Sequence, residues 1–149
     1  MEEKNKAWKT VSSKYLFRRP WLTVRCEDML LPNGNHIPEY YILEYPDWVN
    51  TIAITKEGKF VFVRQYRPGI GRTCYELCAG VCEKEDASPL VSAQRELWEE
   101  TGYGNGNWQE YMVISANPST HTNLTYCFLV TDVELIDHQH LEATEDLSV

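Results

Sequence analysis

A chain of 149 residues has the length of one ordinary domain, and a hydrophobic fraction of 43% is enough to bury a core. Its formal net charge of −8 argues against nucleic acid as a partner, because lysine and arginine supply most contacts to a phosphate backbone. No run of about 20 apolar residues is present to span a membrane, and the N-terminus lacks the apolar segment of a signal peptide.

The first region, residues 1–46, is predicted to form an antiparallel sheet. Its strands are expected at residues 8–15, 21–31 and 37–45, with a hairpin turn at residues 32–35, where Asn-Gly favours the primed turns. The strands carry aromatic side chains that one small domain would not bury alone. These residues are Trp8, Tyr15, Phe17, Trp21, Tyr40 and Tyr41. We therefore expect a homodimer formed through residues 8–45.

The second region, residues 47–149, begins with a predicted hairpin. Its strands are residues 49–55 and 60–66, joined by a turn at residues 56–59. The apolar triplet Val61-Phe62-Val63 predicts a central strand, because a strand covered on one side alternates instead. Two arginines close this strand, which is typical of anion binding or a salt bridge. In so acidic a protein we favour anion binding for Arg67.

The next predicted element is a helix from Pro89 to Thr101. Ser88 followed by Pro89 is typical of an N-cap and first turn, and Gly102 is typical of a helix end. At about 100° per residue, Glu96, Glu99 and Glu100 fall within one arc of about 100°. The apolar residues lie mostly on the other side and include Leu90, Ala93, Leu97 and Trp98.

The three acids of this helix predict a metal site. Stacked like charges destabilise a helix, whereas Mg²⁺ prefers a few carboxylates together with phosphate oxygens. The alternative is a solvated acidic face without a ligand. In either case we expect these acids to be exposed and to contribute little to stability.

The last third is predicted to contain strands at residues 108–115 and 124–131, separated by a polar loop at residues 117–123. Polar loops of this kind often contact substrates. We expect His121 in this loop to be exposed rather than to act as a base. His138 and His140 are expected to be surface residues without partners.

The five cysteines are Cys26, Cys74, Cys78, Cys82 and Cys127. An odd number without a signal peptide is typical of reduced thiols, so we expect a cytoplasmic protein. Cys74, Cys78 and Cys82 recur every four residues, but no CxxC pair or HxxxH pattern accompanies them. We therefore do not expect a zinc site there.

The string from Arg95 to Tyr103, REUxEExGU with U apolar, resembles the signature of the Nudix hydrolases. All nine of these positions match. Gly80 lies one residue too far from Arg95, which indicates a one-residue insertion, with Glu85 or Asp86 in the role of the signature's first acid. The strings LPNGN…EYYILE, RQYRP and YELCAG resemble the branch that hydrolyses ADP-ribose and nucleotide sugars.

This resemblance implies an α/β (α+β) fold, a Nudix α/β/α sandwich around a mixed sheet, with an N-terminal antiparallel sheet. It also implies Mg²⁺-dependent hydrolysis, with Mn²⁺ as the alternative ion, of a nucleoside diphosphate linked to a sugar, such as ADP-ribose. In similar proteins a C-terminal helix follows the late acidic loop. If this helix is absent here, the protein is shorter than its relatives or a partner subunit covers that face of the sheet.

The resemblance also assigns roles to residues. Metal ligands would be the carbonyl of Ala79 and the carboxylates of Glu96, Glu99 and Glu100, and the catalytic residues would be Glu99, Glu100 and Glu145. Glu145 is preferred as the base and Glu142 is second, whereas Arg95 would pair with an acid of the loop before the helix. Arg67 and Glu76 are the candidates for further substrate contacts. A base also needs a flat apolar surface, for which the candidates are Trp48, Trp21 and Tyr66.

Three alternatives remain open at this point. A Nudix enzyme could act instead on a damaged nucleoside triphosphate or a dinucleoside polyphosphate, with the same acids. A Nudix module could sense a nucleotide without cleaving it. The acidic helix could also be purely structural.

Overall fold

The computed structural model describes residues 6–149, and the chain divides into two compact units. The first unit extends to Tyr45 and includes Ser115–Asn123. The second unit consists of Pro46–Ile114 and Leu124–Val149.

The first unit is a three-stranded antiparallel sheet in the order β1-β2-β3. Its strands are β1 (Lys9–Arg19), β2 (Leu22–Leu30) and β3 (His36–Glu44). The Asn33-Gly34 turn joins β2 to β3, and Gly34 has a φ of 88°, a left-handed conformation that glycine adopts at little cost. The predicted N-terminal antiparallel sheet is confirmed.

The second unit contains a mixed six-stranded sheet and a small three-stranded sheet. Its strands are β4 (Trp48–Thr55), β5 (Phe60–Val61), β6 (Val63–Arg67), β7 (Arg72–Glu76), β8 (Cys78–Val81), β9 (Tyr103–Gly104), β10 (Asn107–Ile114), β11 (Thr125–Leu135) and β12 (Leu147–Ser148). In the large sheet, β4 pairs with β11 in parallel and with β5 and β8 antiparallel, while β10 and β9 pair with β11. The small sheet has the order β12-β6-β7.

Helix α1 (Pro89–Thr101) packs on β4 and β8 of the mixed sheet. Ser88 caps its N-terminus by accepting from the Val91 amide at 3.4 Å, and the Gly102 amide donates to the Trp98 carbonyl at 2.8 Å. The main core cluster joins the helix to the sheet and consists of Ala53, Val61, Cys78, Leu97, Val130 and Val133.

The predicted α+β class, with its mixed sheet, is confirmed. Within residues 6–149, α1 is the one α-helix, and it packs on one face of the mixed sheet. Neither α1 nor any other described segment forms a helix long and apolar enough to cross a membrane.

The prediction of one central strand over residues 60–66 was wrong. The strand breaks at Phe62, because the chain leaves the mixed sheet after Val61 and enters the small sheet at Val63. Val61 and Val63 are buried, whereas the Phe62 side chain is exposed. The apolar run therefore marks a crossing between two sheets and not the centre of one.

Gly102 to alanine is expected to destabilise the fold by more than about 1–2 kcal/mol, the usual cost of a left-handed conformation for a residue with a Cβ atom. Gly102 has a φ of 73°, and a Cβ atom there would also overlap the Asp137 carbonyl at well under 3.0 Å. Urea denaturation would measure the loss. The matched control is Gly58→Ala, since Gly58 has a φ of 77° but open space around it. If the two variants lost the same free energy of unfolding, the predicted overlap at Gly102 would be contradicted.

Candidate metal centre and active site

Two of the three acids of α1, Glu96 and Glu100, are buried and Glu99 is half-buried, which corrects the expectation of an exposed acidic stripe. Glu96 is 9% and Glu100 4% exposed, because this face of α1 lies on β8 and not in solvent. Gly80 of β8 makes the approach possible: a Cβ atom at this position would overlap the Glu96 carboxylate. The two side chains therefore meet the backbone of β8 at Ala79 and Gly80.

Glu100 is held by β8 itself. Its carboxylate accepts from the Ala79 amide at 3.3 Å and from the Cys78 thiol. Burial raises the pKa of Glu100 to about 7, and the nearby charges of Glu96 and Glu145 add to the effect. Burial also raises the pKa of Glu96, although Arg95 opposes that shift.

Arg95 joins the loop before the helix to the helix acids. Its guanidinium contacts Asp86 at 3.0 Å and both Glu96 and Glu99 at 2.9 Å, and it donates to the Val81 carbonyl at 3.0 Å. The predicted pairing of Arg95 with a loop acid is thus confirmed, and that acid is Asp86. The exposed neighbour Glu85 is not the partner.

The site fits a hard divalent cation. Its carboxylates bring more negative charge together than Arg95 neutralises. The pKa values of Glu96 and Glu100 are raised chiefly by burial, and the charges of neighbouring acids add to the shift. Carboxylate and carbonyl oxygens are the ligands that Mg²⁺ and Mn²⁺ accept. Glu96, Glu99, Glu100 and the carbonyl of Ala79 remain the predicted ligands.

Glu145 lies near these acids, in the loop before β12. Its charge contributes to raising the pKa of both Glu96 and Glu100. The Glu145 carboxylate also accepts from the Glu142 amide at 2.8 Å, which fixes the loop. Glu142 itself is exposed. Glu145 stays the predicted base, with Glu142 as the second choice.

Arg67 and Glu76 form a salt bridge between β6 and β7. The Nη2 atom of Arg67 lies 2.7 Å from the Glu76 carboxylate, and Nε donates to the same group at 3.0 Å. The hydrogen bond to Glu76 raises the pKa of Arg67 most, and the charge of Glu100 adds to it. The salt bridge foreseen as one alternative is present, and anion binding by Arg67 stays a prediction.

The aromatic candidates lie in different places. Trp48 is half-buried at the start of β4, opposite Val81 of β8, and Tyr66 is exposed on β6. Trp21 is exposed in the first unit, in the turn between β1 and β2. None of the three is established as a base-stacking residue by its position.

The expectation that His138 and His140 lack partners was wrong. Both contact the Asp137 carboxylate, and the His140 ring stacks on Trp98 with 4.1 Å between ring centroids. The sequence did not reveal this, because the loop lies against the end of a helix about 40 residues earlier in the chain.

Cys78 was missed as a partner of Glu100, although a signal was available. Side chains of a strand alternate between faces, so Cys78 lies on the same face as Gly80, two residues later. Once Gly80 is recognised as the close approach to the acids, Cys78 must face them too. The Cys78 thiol is buried there, and burial raises its pKa well above the usual value.

Two family models match the chain. A model described as the nucleoside diphosphate sugar hydrolase N-terminal domain matches residues 8–43, and a model of the NUDIX domain matches residues 45–148.

Curated relatives include proteins named ADP-ribose pyrophosphatase. The one from Bacillus subtilis is 31% identical over 93% of this chain and 73% of its own length. The one from Mycobacterium tuberculosis is 27% identical over 83% of this chain and 59% of its own length. The methanol dehydrogenase activator of Bacillus methanolicus is 40% identical over 64% of this chain and half of its own length.

A crystal structure of an ADP compounds hydrolase is similar to this chain, with a TM-score of 0.84. The match covers 99% of this chain and 78% of that one at 19% sequence identity. At that identity the likeness establishes the fold.

Proposed function

Because this chain belongs to the Nudix hydrolase family, we propose that it hydrolyses the diphosphate bond of a nucleoside diphosphate linked to a sugar. ADP-ribose is the first candidate substrate, and the products would be a nucleoside monophosphate and a sugar phosphate. The observation that carries the proposal is the convergence of Glu96 and Glu100 on the backbone of β8, with Glu99 and Glu145 close by.

Transfer of a phosphoryl group needs mainly positioning and neutralisation of charge. Glu96, Glu99, Glu100 and the carbonyl of Ala79 would hold Mg²⁺, which neutralises the charge of the diphosphate when bound. Arg95 fixes two of these acids from the other side. Arg67 would contact the diphosphate, and its bridge to Glu76 holds the guanidinium in one orientation until substrate arrives.

Glu145 would accept the proton of the attacking water. Glu145 lies in a loop near Glu96 and Glu100 but not on the helix, and it is not one of the predicted metal ligands. A base within reach of the water must lie close to the metal ligands without replacing one of them.

The substrate panel that tests the function contains ADP-ribose, ADP-glucose and GDP-mannose, with an oxidised nucleoside triphosphate and a dinucleoside polyphosphate beside them. Nucleoside monophosphate formed from each compound would be separated and quantified by anion-exchange chromatography, with Mg²⁺ or Mn²⁺ present. Hydrolysis of the diphosphate sugars above the two other classes is the expected result. The control is the Glu100→Gln protein prepared in the same way. If neither ion supports hydrolysis of any compound, the chain is not the proposed enzyme.

Separate roles are expected for Trp48 and Arg67. Trp48→Ala should raise KM about ten-fold with little change in kcat, because stacking of a base contributes about 1–3 kcal/mol and is lost equally from bound substrate and transition state. Arg67→Ala should lower kcat instead, since charge on the diphosphate grows in the transition state. Steady-state kinetics on a nucleotide sugar would measure both.

Three further variants are controls for this prediction. Trp21→Ala and Tyr66→Ala show whether another aromatic residue stacks the base. The Arg67→Ala/Glu76→Ala double variant removes the carboxylate that Arg67→Ala leaves unpaired, and it should keep the loss of kcat. The pocket would be wrongly placed if Trp48→Ala and Arg67→Ala lowered kcat equally with KM unchanged.

We also propose that residues 8–45 form a homodimer. Every residue of β1 is exposed, including the apolar side chains of Val11, Tyr15, Leu16 and Phe17, and exposed apolar side chains that cluster often mark an interaction surface. In sedimentation at micromolar concentration, the protein should be a dimer, and Phe17→Glu should be a monomer. Phe60→Glu is the matched control, because Phe17 is 55% and Phe60 57% exposed but Phe60 lies outside this sheet. A monomeric wild-type protein would overturn the proposal.

A further inference from the structure

The segment between β11 and β12 holds the C-terminal end of α1 through backbone and side-chain hydrogen bonds. The amides of Asp137 and His140 donate to the carbonyls of Gly102 and Glu99 at 3.1 and 2.8 Å. The Gln139 side chain donates to the Glu100 carbonyl at 2.7 Å. These carbonyls belong to the helix end, where partners within the helix are lacking. The backbone of the segment is therefore fixed before any ligand binds.

Three side chains of this segment converge outside the acid site. The Asp137 carboxylate lies between two imidazoles: one oxygen is 2.7 Å from Nδ1 of His138, and the other is 3.0 Å from Nε2 of His140. One ligand atom from each residue lies within 4.8 Å of the other two. The stacking of His140 on Trp98 fixes one of the rings.

We propose that Asp137, His138 and His140 form a second metal site that binds a transition-metal dication such as Zn²⁺ or Co²⁺. Two imidazole nitrogens and one carboxylate oxygen suit borderline cations, whereas Mg²⁺ prefers oxygen ligands alone. The site would thus differ in selectivity from the carboxylate site on α1.

The side chains must adjust to accept an ion, because the two imidazoles contact different oxygens of Asp137. Ligand bonds of about 2.0–2.1 Å in a tetrahedral site place the ligand atoms about 3.3–3.4 Å apart. The two contacts to Asp137 are a few tenths of an ångström shorter than this separation. The His138 side chain is 79% exposed, so it has room to turn toward an ion. Water would fill the remaining positions around the ion.

The arrangement of the segment favours the ion. The His138 amide donates to the Asp137 carboxylate at 2.8 Å and fixes it beside the two imidazoles. A cation would replace the direct contacts that now join these three side chains. A bound ion would join both imidazoles to the loop that holds the end of α1.

Calorimetric titration of the untagged protein with Zn²⁺ or Co²⁺, in saturating Mg²⁺, tests the proposal. Mg²⁺ occupies the carboxylate site, so one equivalent of transition metal should still bind. His138→Ala and His140→Ala should each weaken this binding at least about ten-fold, because even groups that only support metal ligands contribute that much. The Co²⁺ complex should lack the near-ultraviolet band of a cobalt–thiolate bond, which excludes the five cysteines as ligands.

His36→Ala is the matched control. His36 also contacts an aspartate, Asp28, at 3.1 Å, but it lies outside the three converging side chains and should be dispensable. The Glu96→Gln/Glu100→Gln double variant should keep the binding as well, which separates this site from the proposed catalytic one. Unchanged affinity in His138→Ala and His140→Ala, or loss of all binding in saturating Mg²⁺, would overturn the proposal.

Discussion

Glu96→Gln and Glu100→Gln are each expected to lower kcat/KM by more than about 100-fold, because residues that merely support metal ligands already contribute about 10- to 100-fold. Glutamine keeps the size of the side chain and one oxygen but removes the charge that holds the cation. The measurement is steady-state hydrolysis of a nucleotide sugar at saturating Mg²⁺. Near wild-type turnover in either variant would contradict the assignment of these two ligands.

Glu85→Gln is the control for loss of negative charge in this region. Glu85 is an exposed acid of the loop before α1, beside Asp86, which is the acid that Arg95 contacts. We expect this variant to retain full activity. Asp86→Asn should have an intermediate effect, because it releases Arg95 from one side and leaves the helix acids in place.

The same substitution at Glu100 should raise the stability of the metal-free protein. The folded-state pKa of Glu100 is about 7 against an ordinary value of 4.5, so the folded protein binds this proton more tightly than the unfolded one. The stability that protonated Glu100 contributes is complete below about pH 4.5 and is lost as the pH rises through about 7. Melting temperatures in a chelator should therefore be higher for Glu100→Gln at pH 8 and similar for both proteins at pH 5.

Added Mg²⁺ should reverse this order at pH 8. The cation binds the folded wild-type protein and raises its melting temperature, whereas the variant has lost a ligand and gains less. A wild-type protein that is more stable than Glu100→Gln in the chelator at pH 8 would show that burial does not penalise this charge.

Gly80→Ala is expected to reduce activity nearly as much as Glu96→Gln while leaving the fold intact. The added Cβ atom would overlap the Glu96 carboxylate, which is the flexible end of a long side chain and can turn away. Turning away removes the ligand from the site but costs the core little. Activity and melting temperature, measured on the same preparation, would show the first falling sharply and the second changing slightly.

Gly69→Ala is the matched control for the glycine substitution. Gly69 has open space around it and no left-handed φ, so an added methyl group should affect neither quantity. Combining Gly80→Ala with Glu96→Gln should cost little more than either change alone, since both remove the same interaction. Additive losses would mean that Gly80 acts through another residue.

Local patterns predicted the helix well. Ser88, Pro89 and Gly102 indicated where it begins and ends, and Pro89 to Thr101 are its bounds in the structure. The three strands of the N-terminal sheet were also predicted from alternation and the Asn-Gly turn. In each case the information lies within a few residues.

What the sequence did not predict depends on contacts between distant residues. The burial of Glu96 and Glu100 follows from β8 lying beneath α1, and a helical wheel contains no such information. The break at Phe62 follows from the choice between two sheets. The partners of His138 and His140 depend on a loop and a helix that meet only in the folded chain.

The pairing of β4 with β11 has a consequence for the order of folding. The Trp48 amide donates to the Leu124 carbonyl, and the Asp47 side chain accepts from the Leu124 amide across 77 positions of sequence. Such non-local pairing is slow to form, because a long loop must close first. Only α1 and the hairpins can form early. On the ribosome, the acids of α1 are therefore translated well before the sheet beneath them is complete. When the full chain refolds, hydrogen exchange should show β2 and β3 protected before β4 and β11.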